Sequence, residues 1–347
     1  MNTTGLVKYA GALAAIALCS ACDGAFREAQ DDMAVGPSTA ALSTTYVGRA
    51  LSVNGRLVTA ARPPLSPLPR YATIVPDRPR NSKKFEYIFN DYDTWASILD
   101  YPKSDRQIGE IPGDGGQGCT NVLYGYGKKI FWNVAGDTEI TEYTVPKTRI
   151  KRLSVSVGMP SSCAMNTSGD LAVGILSAGS GAGDVVIFKN AGGPGTVMTT
   201  PLIGEYFDGY DNQGNLFADG YNSADNFELV ELPKGSSTFR PITISNTVKF
   251  PGSVQWDGKY LTVVDQLAKP NSIYQYTISG TNATLQGTVQ LNGAGDCAQT
   301  WIVKGAVYCA DATNDDGEVF KYPAGGSAIA VFTGSFNFPL GVTVTKK

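Results

Sequence analysis

The chain has 347 residues, a formal charge of −3, a pI near 5.2, 40 glycines, 17 tyrosines, 14 phenylalanines and no histidine. Its acidic balance offers no electrostatic footprint for a nucleic-acid backbone. Without imidazole, Ser-His-Asp and Cys-His catalysis and His-ligated zinc or haem are excluded, which removes much of the ground for an enzyme.

Residues 1–22 carry a lone Lys8, an apolar run over residues 9–18, and the small residues Cys19, Ser20 and Ala21 before Cys22. The run is too short to span a bilayer and has the proportions of a signal-peptide core, so export is expected. Leu18-Cys19-Ser20-Ala21-Cys22 is similar to a bacterial lipobox, with its leucine one position further upstream than usual. Lipidation at Cys22 is the outcome expected, and plain cleavage after Ala21 is the alternative. Residues 23–84 are rich in Ala, Ser, Thr, Pro and Arg, a composition that cannot bury enough apolar surface to offset ordering entropy. They read as a disordered tether beneath a folded domain at residues 85–347.

That domain repeats itself. Related first strands begin at Cys119, Cys163, Gly209, Ser253, Cys297 and Gly341, with spacings of 44, 46, 44, 44 and 44 residues. Pro102, Pro146, Pro233 and Pro323 close third strands at the same period. A period in the forties points to a propeller or an array. Hairpin turns stand at Gly127-Lys128, Ser168-Gly169-Asp170, Gln213-Gly214-Asn215, Asp257-Gly258 and Lys304-Gly305, where glycine and Asn/Asp accept positive φ. The flanking runs, such as residues 129–133, 260–265 and 306–311, are β-branched and aromatic. Fourth strands are expected at residues 150–157, 195–202, 239–244, 283–291 and 328–333.

Four antiparallel strands per unit make a propeller blade. Residues 85–91, 96–101 and 107–111 supply a second, third and fourth strand with no first, while residues 339–345 are a first strand with nothing after it. Placing the tail in the incomplete N-terminal blade closes an all-β ring of six and removes the open edges of an unclosed array.

Gly214-Asn-Leu-Phe-Ala-Asp219, Asn222, Phe227-Glu-Leu-Val230 and Pro339-Leu-Gly-Val-Thr-Val344 together resemble the NHL repeat and related six-bladed propellers, including gluconolactonase-like proteins. The resemblance covers roughly residues 85–347. It implies a fold used by enzymes, receptors and scaffolds alike.

Cys119, Cys163, Cys297 and Cys309 read as two disulfides in an exported chain, with three connectivities open. Cys119–Cys163 with Cys297–Cys309 is favoured: the first two share a position on neighbouring first strands, and the others flank a hairpin. Four buried free thiols are the alternative.

First strands start and second strands finish on one face, which gathers Asp208, Asp296, Asp91, Asp219, Asp265 and Asp311, with Asn133 and Gln117 in comparable places. No cofactor is demanded, but such a ring would suit Ca²⁺ or another divalent cation. Gluconolactonase-like propellers hold a divalent metal there, and the resemblance nominates these aspartates. No glutamate at the start of a first strand matches the metal-binding one of that family. Asp at strand ends is also ordinary turn chemistry. Trp256 and Trp301, with Tyr124 and Tyr126, are expected either to line the channel and stack on a ligand or to pack between blades.

The leading reading is therefore a non-catalytic, monomeric, lipid-anchored or secreted propeller that binds a protein or glycan at the cell envelope. It would meet the membrane only through its anchor. The second is a metal-dependent hydrolase of the lactonase type.

Overall fold

The computed structural model describes residues 50–51, 57–58, 84–90, 95–99, 107–112, 116–133, 138–145, 148–155, 157–178, 183–333 and 336–346. The chain divides into two units, Met1–Tyr71 and Ala72–Lys347. In the first, Ala50–Leu51 and Leu57–Val58 pair antiparallel. The expected signal peptide, Cys22 and most of the expected tether lie outside the described residues.

The second unit is all-β. Among the described residues its main strands fall into six antiparallel groups of four, in hydrogen-bonding order. Sheet I is Pro339–Lys346, Lys84–Asn90, Trp95–Leu99 and Gln107–Pro112. Sheet II is Gly118–Thr120, Lys129–Asn133, Glu139–Thr144 and Thr148–Ser154. Sheet III is Gly158–Met165, Leu171–Ala178, Asp184–Phe188 and Thr196–Thr199. Sheet IV is Gly204–Tyr210, Leu216–Tyr221, Phe227–Leu232 and Arg240–Ile244. Sheet V is Val254–Trp256, Leu261–Asp265, Asn271–Ser279 and Asn282–Asn292. Sheet VI is Cys297–Val303, Ala306–Asp311, Asp316–Lys321 and Ala330–Thr333.

The first strands make a ring. Those of sheets II and III, III and IV, IV and V, VI and I, and I and II are in contact. Sheets V and VI are joined by side chains: Gln255 donates to Ile302 O at 3.1 Å and accepts from Ile302 N at 2.8 Å, while Ser253 Oγ accepts from Thr300 N at 2.8 Å. Gln299 ties three first strands together, accepting from Gly118 N and Val342 N and donating to Gly118 O. First strands come so close that a Cβ on Gly209 would stand 2.3 Å from Val254 O, so only glycine fits.

Closure is as expected. Pro339–Lys346 pairs antiparallel with Lys84–Asn90, with Val342 opposite Ile88 and Val344 opposite Glu86. Both expected disulfides are present: Cys119–Cys163, with Cα atoms 5.7 Å apart, links the first strands of sheets II and III, and Cys297–Cys309, at 5.3 Å, lies within sheet VI. They point to an oxidising, extracytoplasmic environment. No helix among the described residues is long and apolar enough to cross a membrane.

The core lies between sheets. One buried cluster runs from Phe131 of sheet II through Phe188 of sheet III to Trp301 of sheet VI and Val342 of sheet I. Towards the rim, polar side chains are paired: Glu142, 2% exposed, meets Lys129 at 2.6 Å and Lys151 at 3.2 Å, and Glu231 meets Arg240 at 2.8 Å.

Candidate functional site

The acidic residues that end second strands bind backbone. Asp219 accepts from Phe207 N of its own sheet and Gly252 N at the start of sheet V, both at 3.2 Å. Asp265 accepts from Lys249 N, Phe250 N, Leu267 N and Ala268 N at 3.0 to 3.3 Å. Asp311 accepts from Gly295 N, Asp296 N, Thr313 N, Asn314 N and the Asn314 amide. Asn133 does the same work in sheet II, accepting from Gln117 N at 2.9 Å and donating to Pro160 O of sheet III at 2.7 Å. Each is a clamp that fixes the segment leading into a first strand, and Asp265 and Asp311 also cap the turn behind them. Replacing Asp265 by Ala strands those donors, so a loss of about 3 kcal/mol or more is expected in chemical denaturation. A loss under about 1 kcal/mol would show that the clamp is dispensable.

Asp208 is different. It is 5% exposed, and among the described residues neither carboxylate oxygen has a hydrogen-bond partner of good geometry. Burial pushes its carboxyl up to about 7, opposed by the neighbouring Ser162 hydroxyl and its own backbone N–H. Beside it stands Glu205, fully buried, which accepts from Ser161 Oγ at 2.6 Å and Ser162 Oγ at 3.2 Å. Burial, then the Asp208 charge, holds the Glu205 carboxyl well above the usual carboxylate range.

Glu205 corrects the expectation that no first strand starts with a glutamate. Sheet IV begins at Gly204, five residues before the position read from the repeat, and a β-bulge lies between Glu205 and Phe207. The bulge breaks the alternation that would set positions 205 and 208 on opposite faces. Gly174 of sheet III makes the space, since a Cβ there would stand 1.9 Å from Glu205 Oε2. A GEYFD string with Gly174 about thirty positions upstream, and Ser161 and Ser162 44 and 43 positions before Glu205, is the only sequence signal of this pair.

Asp208 lines a central cavity of about 30 Å³, together with Ser162, Gln255, Gln299, Trp256 and Trp301. That volume holds about two water molecules and no sugar. Val122 and Leu123 line it as well. They belong to an unexpected excursion: the first strand of sheet II ends at Thr120, and residues 121–125 bend away where the sequence reads as continuous strand. Tyr124 OH accepts from Lys304 N at 2.9 Å and Gly125 O accepts from Trp301 Nε1 at 3.3 Å, pinning the excursion to sheet VI. Trp301 is thus a packing residue at the cavity wall, and Tyr126 lies under the Lys84 and Lys304 ammonium groups at 4.5 and 5.9 Å from its ring.

Of the other sequence candidates, Asp296 is buried, with one oxygen unpartnered. Burial and the Asp311 charge push its carboxyl up to about 7, against Lys269. Asp91 lies outside the described residues. The structure thus sets Asp208 on the central cavity, while Asp219, Asp265 and Asp311 are committed to backbone.

Neither a family model nor a curated protein matches the sequence. Solved structures do. A chain of a nidogen/laminin complex has a TM-score of 0.57 at 11% identity, covering 76% of this chain and 98% of that one. A protein of unknown function from Bacteroides caccae has a TM-score of 0.55 at 11% identity, covering 77% and 100%. The fold is a β-propeller. Hydrazine synthase of Kuenenia stuttgartiensis is also similar, with a TM-score of 0.50 at 14% identity over 69% of this propeller chain and 81% of that chain. Likeness at such identities carries the fold alone.

Proposed function

We propose that this propeller is an exported binding module, held at the cell envelope through a lipid on Cys22, which engages a protein or glycan partner with its outer surfaces. The observation that carries the reading is the state of the channel. The central cavity has room for about two waters, the excursion at residues 121–125 lies against it, and three of the candidate carboxylates are committed to backbone N–H groups. Among the described residues this cavity is too small for a substrate, which favours recognition by the exterior. The likeness to a chain from a nidogen/laminin complex, a protein–protein assembly, is in keeping with this.

A second reading has one observation in its favour. Asp208 presents two unpartnered, buried oxygens to the cavity, as a cation ligand would, which keeps the metal-dependent hydrolase open. Full-length protein is expected to fractionate with the envelope, to lose that association in Cys22→Ser, and to leave lactones and esters intact with Ca²⁺, Zn²⁺ or Mn²⁺ present. Lactone hydrolysis that disappears in Asp208→Asn would replace the binding module by the hydrolase.

A further inference from the structure

Sheet VI carries a second acidic group, away from the central cavity. Asp311 ends the second strand, and Asp316 and Glu318 lie on the third, with Asp311 opposite Asp316 and Cys309 opposite Glu318. One carboxylate oxygen from each of Asp311, Asp316 and Glu318 lies within 4.8 Å of the others. Oxygens that share one Ca²⁺ at about 2.4 Å can be no further apart than about 4.8 Å, so the spacing suits a single ion.

The three carboxylates are not equivalent. Asp311 is locked by the five N–H donors described above and acts as a fixed charge. Among the described residues Asp316 and Glu318 accept no hydrogen bond, although they are only 7% and 5% exposed, and Asp316 Oδ1 and Glu318 Oε2 are buried without a partner. Bare, buried carboxylate oxygens close to a third carboxylate are costly unless a cation joins the group. Neither forms an ion pair with Lys or Arg among the described residues. The Cys297–Cys309 sulfurs lie within 4.8 Å of the Glu318 carboxylate and wall one side of the group.

We propose that Asp316 and Glu318, with Asp311 as the fixed third carboxylate, form a Ca²⁺ site on sheet VI that stabilises the propeller. Hard oxygen ligands select Ca²⁺ over softer metals, and the chain has no histidine and no free thiol there to favour zinc. Mg²⁺ needs a tighter, near-octahedral shell and is expected to bind more weakly. A site of three carboxylates fits the submillimolar affinity of extracellular calcium modules. The site is independent of the binding-module reading and of Asp208.

Calorimetric titration of the full chain with Ca²⁺ after chelator treatment is expected to give one ion per chain and a higher melting temperature. Glu318→Gln and Asp316→Asn should each weaken binding at least about tenfold and remove the calcium-dependent rise, whereas Asp208→Asn should keep both. Two near-isosteric variants are used so that failure of one to fold leaves the other as the test. Absence of binding by the wild type, or binding lost in Asp208→Asn but kept in Glu318→Gln and Asp316→Asn, would overturn the proposal.

Discussion

Deletion of residues 340–347 is expected to unfold the propeller domain rather than fray its end. Leu340, Val342 and Val344 are 2%, 0% and 0% exposed, and each such side chain contributes about 1.5–3 kcal/mol by burial. Their sum, roughly 5–9 kcal/mol, is comparable with the whole stability of a typical domain. The strand also fills two roles at once. It supplies the ladder partner of Lys84–Asn90, and its Val342 N–H donates to Gln299, which joins sheets VI, I and II. Thermal unfolding by circular dichroism should lose its cooperative transition in the truncated chain. A peptide of residues 339–347 added in trans should restore part of it. An unchanged melting temperature would mean that the ring is held without this strand.

The second large effect concerns pH. The Asp208 carboxyl stands at about 7 in the folded state against 3.8 as its ordinary value, so the native protein holds a proton that the unfolded chain releases. Stability from this group is therefore full below about pH 4, declines as pH rises from about 4 to 7, and is flat above the folded value. The fall across that window is of the order of 4 kcal/mol, at about 1.4 kcal/mol per unit. Glu205, whose carboxyl is also raised, adds to it in the same direction.

Asp208→Asn keeps the shape and removes the charge. In chelator at pH 8 it is expected to be more stable than the wild type, by a shift in melting temperature of the order of 10 °C, and to flatten the pH profile. The same change at the clamp residue Asp265 should destabilise, because there the carboxylate serves four N–H donors. A wild type equally stable at pH 5 and pH 8, with Asp208→Asn weaker at both, would show that Asp208 is ionised and compensated, and would strengthen the cation reading of the central cavity.

Much of the architecture was legible because it repeats. A strand needs only alternation and a turn residue, and a near-constant period of 44 puts those local signals in register six times over. The incomplete first unit and the unpartnered last strand implied each other, and the cysteine positions on neighbouring first strands implied a bridge. These are properties of spacing along the chain, and spacing survives whatever the side chains meet later.

Chemistry was less legible, because identical residues gathered on one face of the repeat met different neighbours. Asp219, Asp265 and Asp311 look like Asp208 as letters; only the folded chain shows that the first three receive backbone donors and that Asp208 receives none. Glu205 was hidden by a bulge, which shifts strand parity without leaving a mark in the hydrophobic pattern. The excursion at residues 121–125 was hidden because an apolar segment that packs against the cavity wall has the same composition as a strand. Asp316 and Glu318 drew no attention, being ordinary acidic residues two apart on a third strand until the register of sheet VI set them beside Asp311. By itself, then, the sequence determined the blade, its period and the closure of the ring, since these depend on local pattern and count. Which carboxylates are bound, bare or gathered was decided by the tertiary structure, because desolvation and hydrogen bonding depend on neighbours that the chain brings together from distant positions.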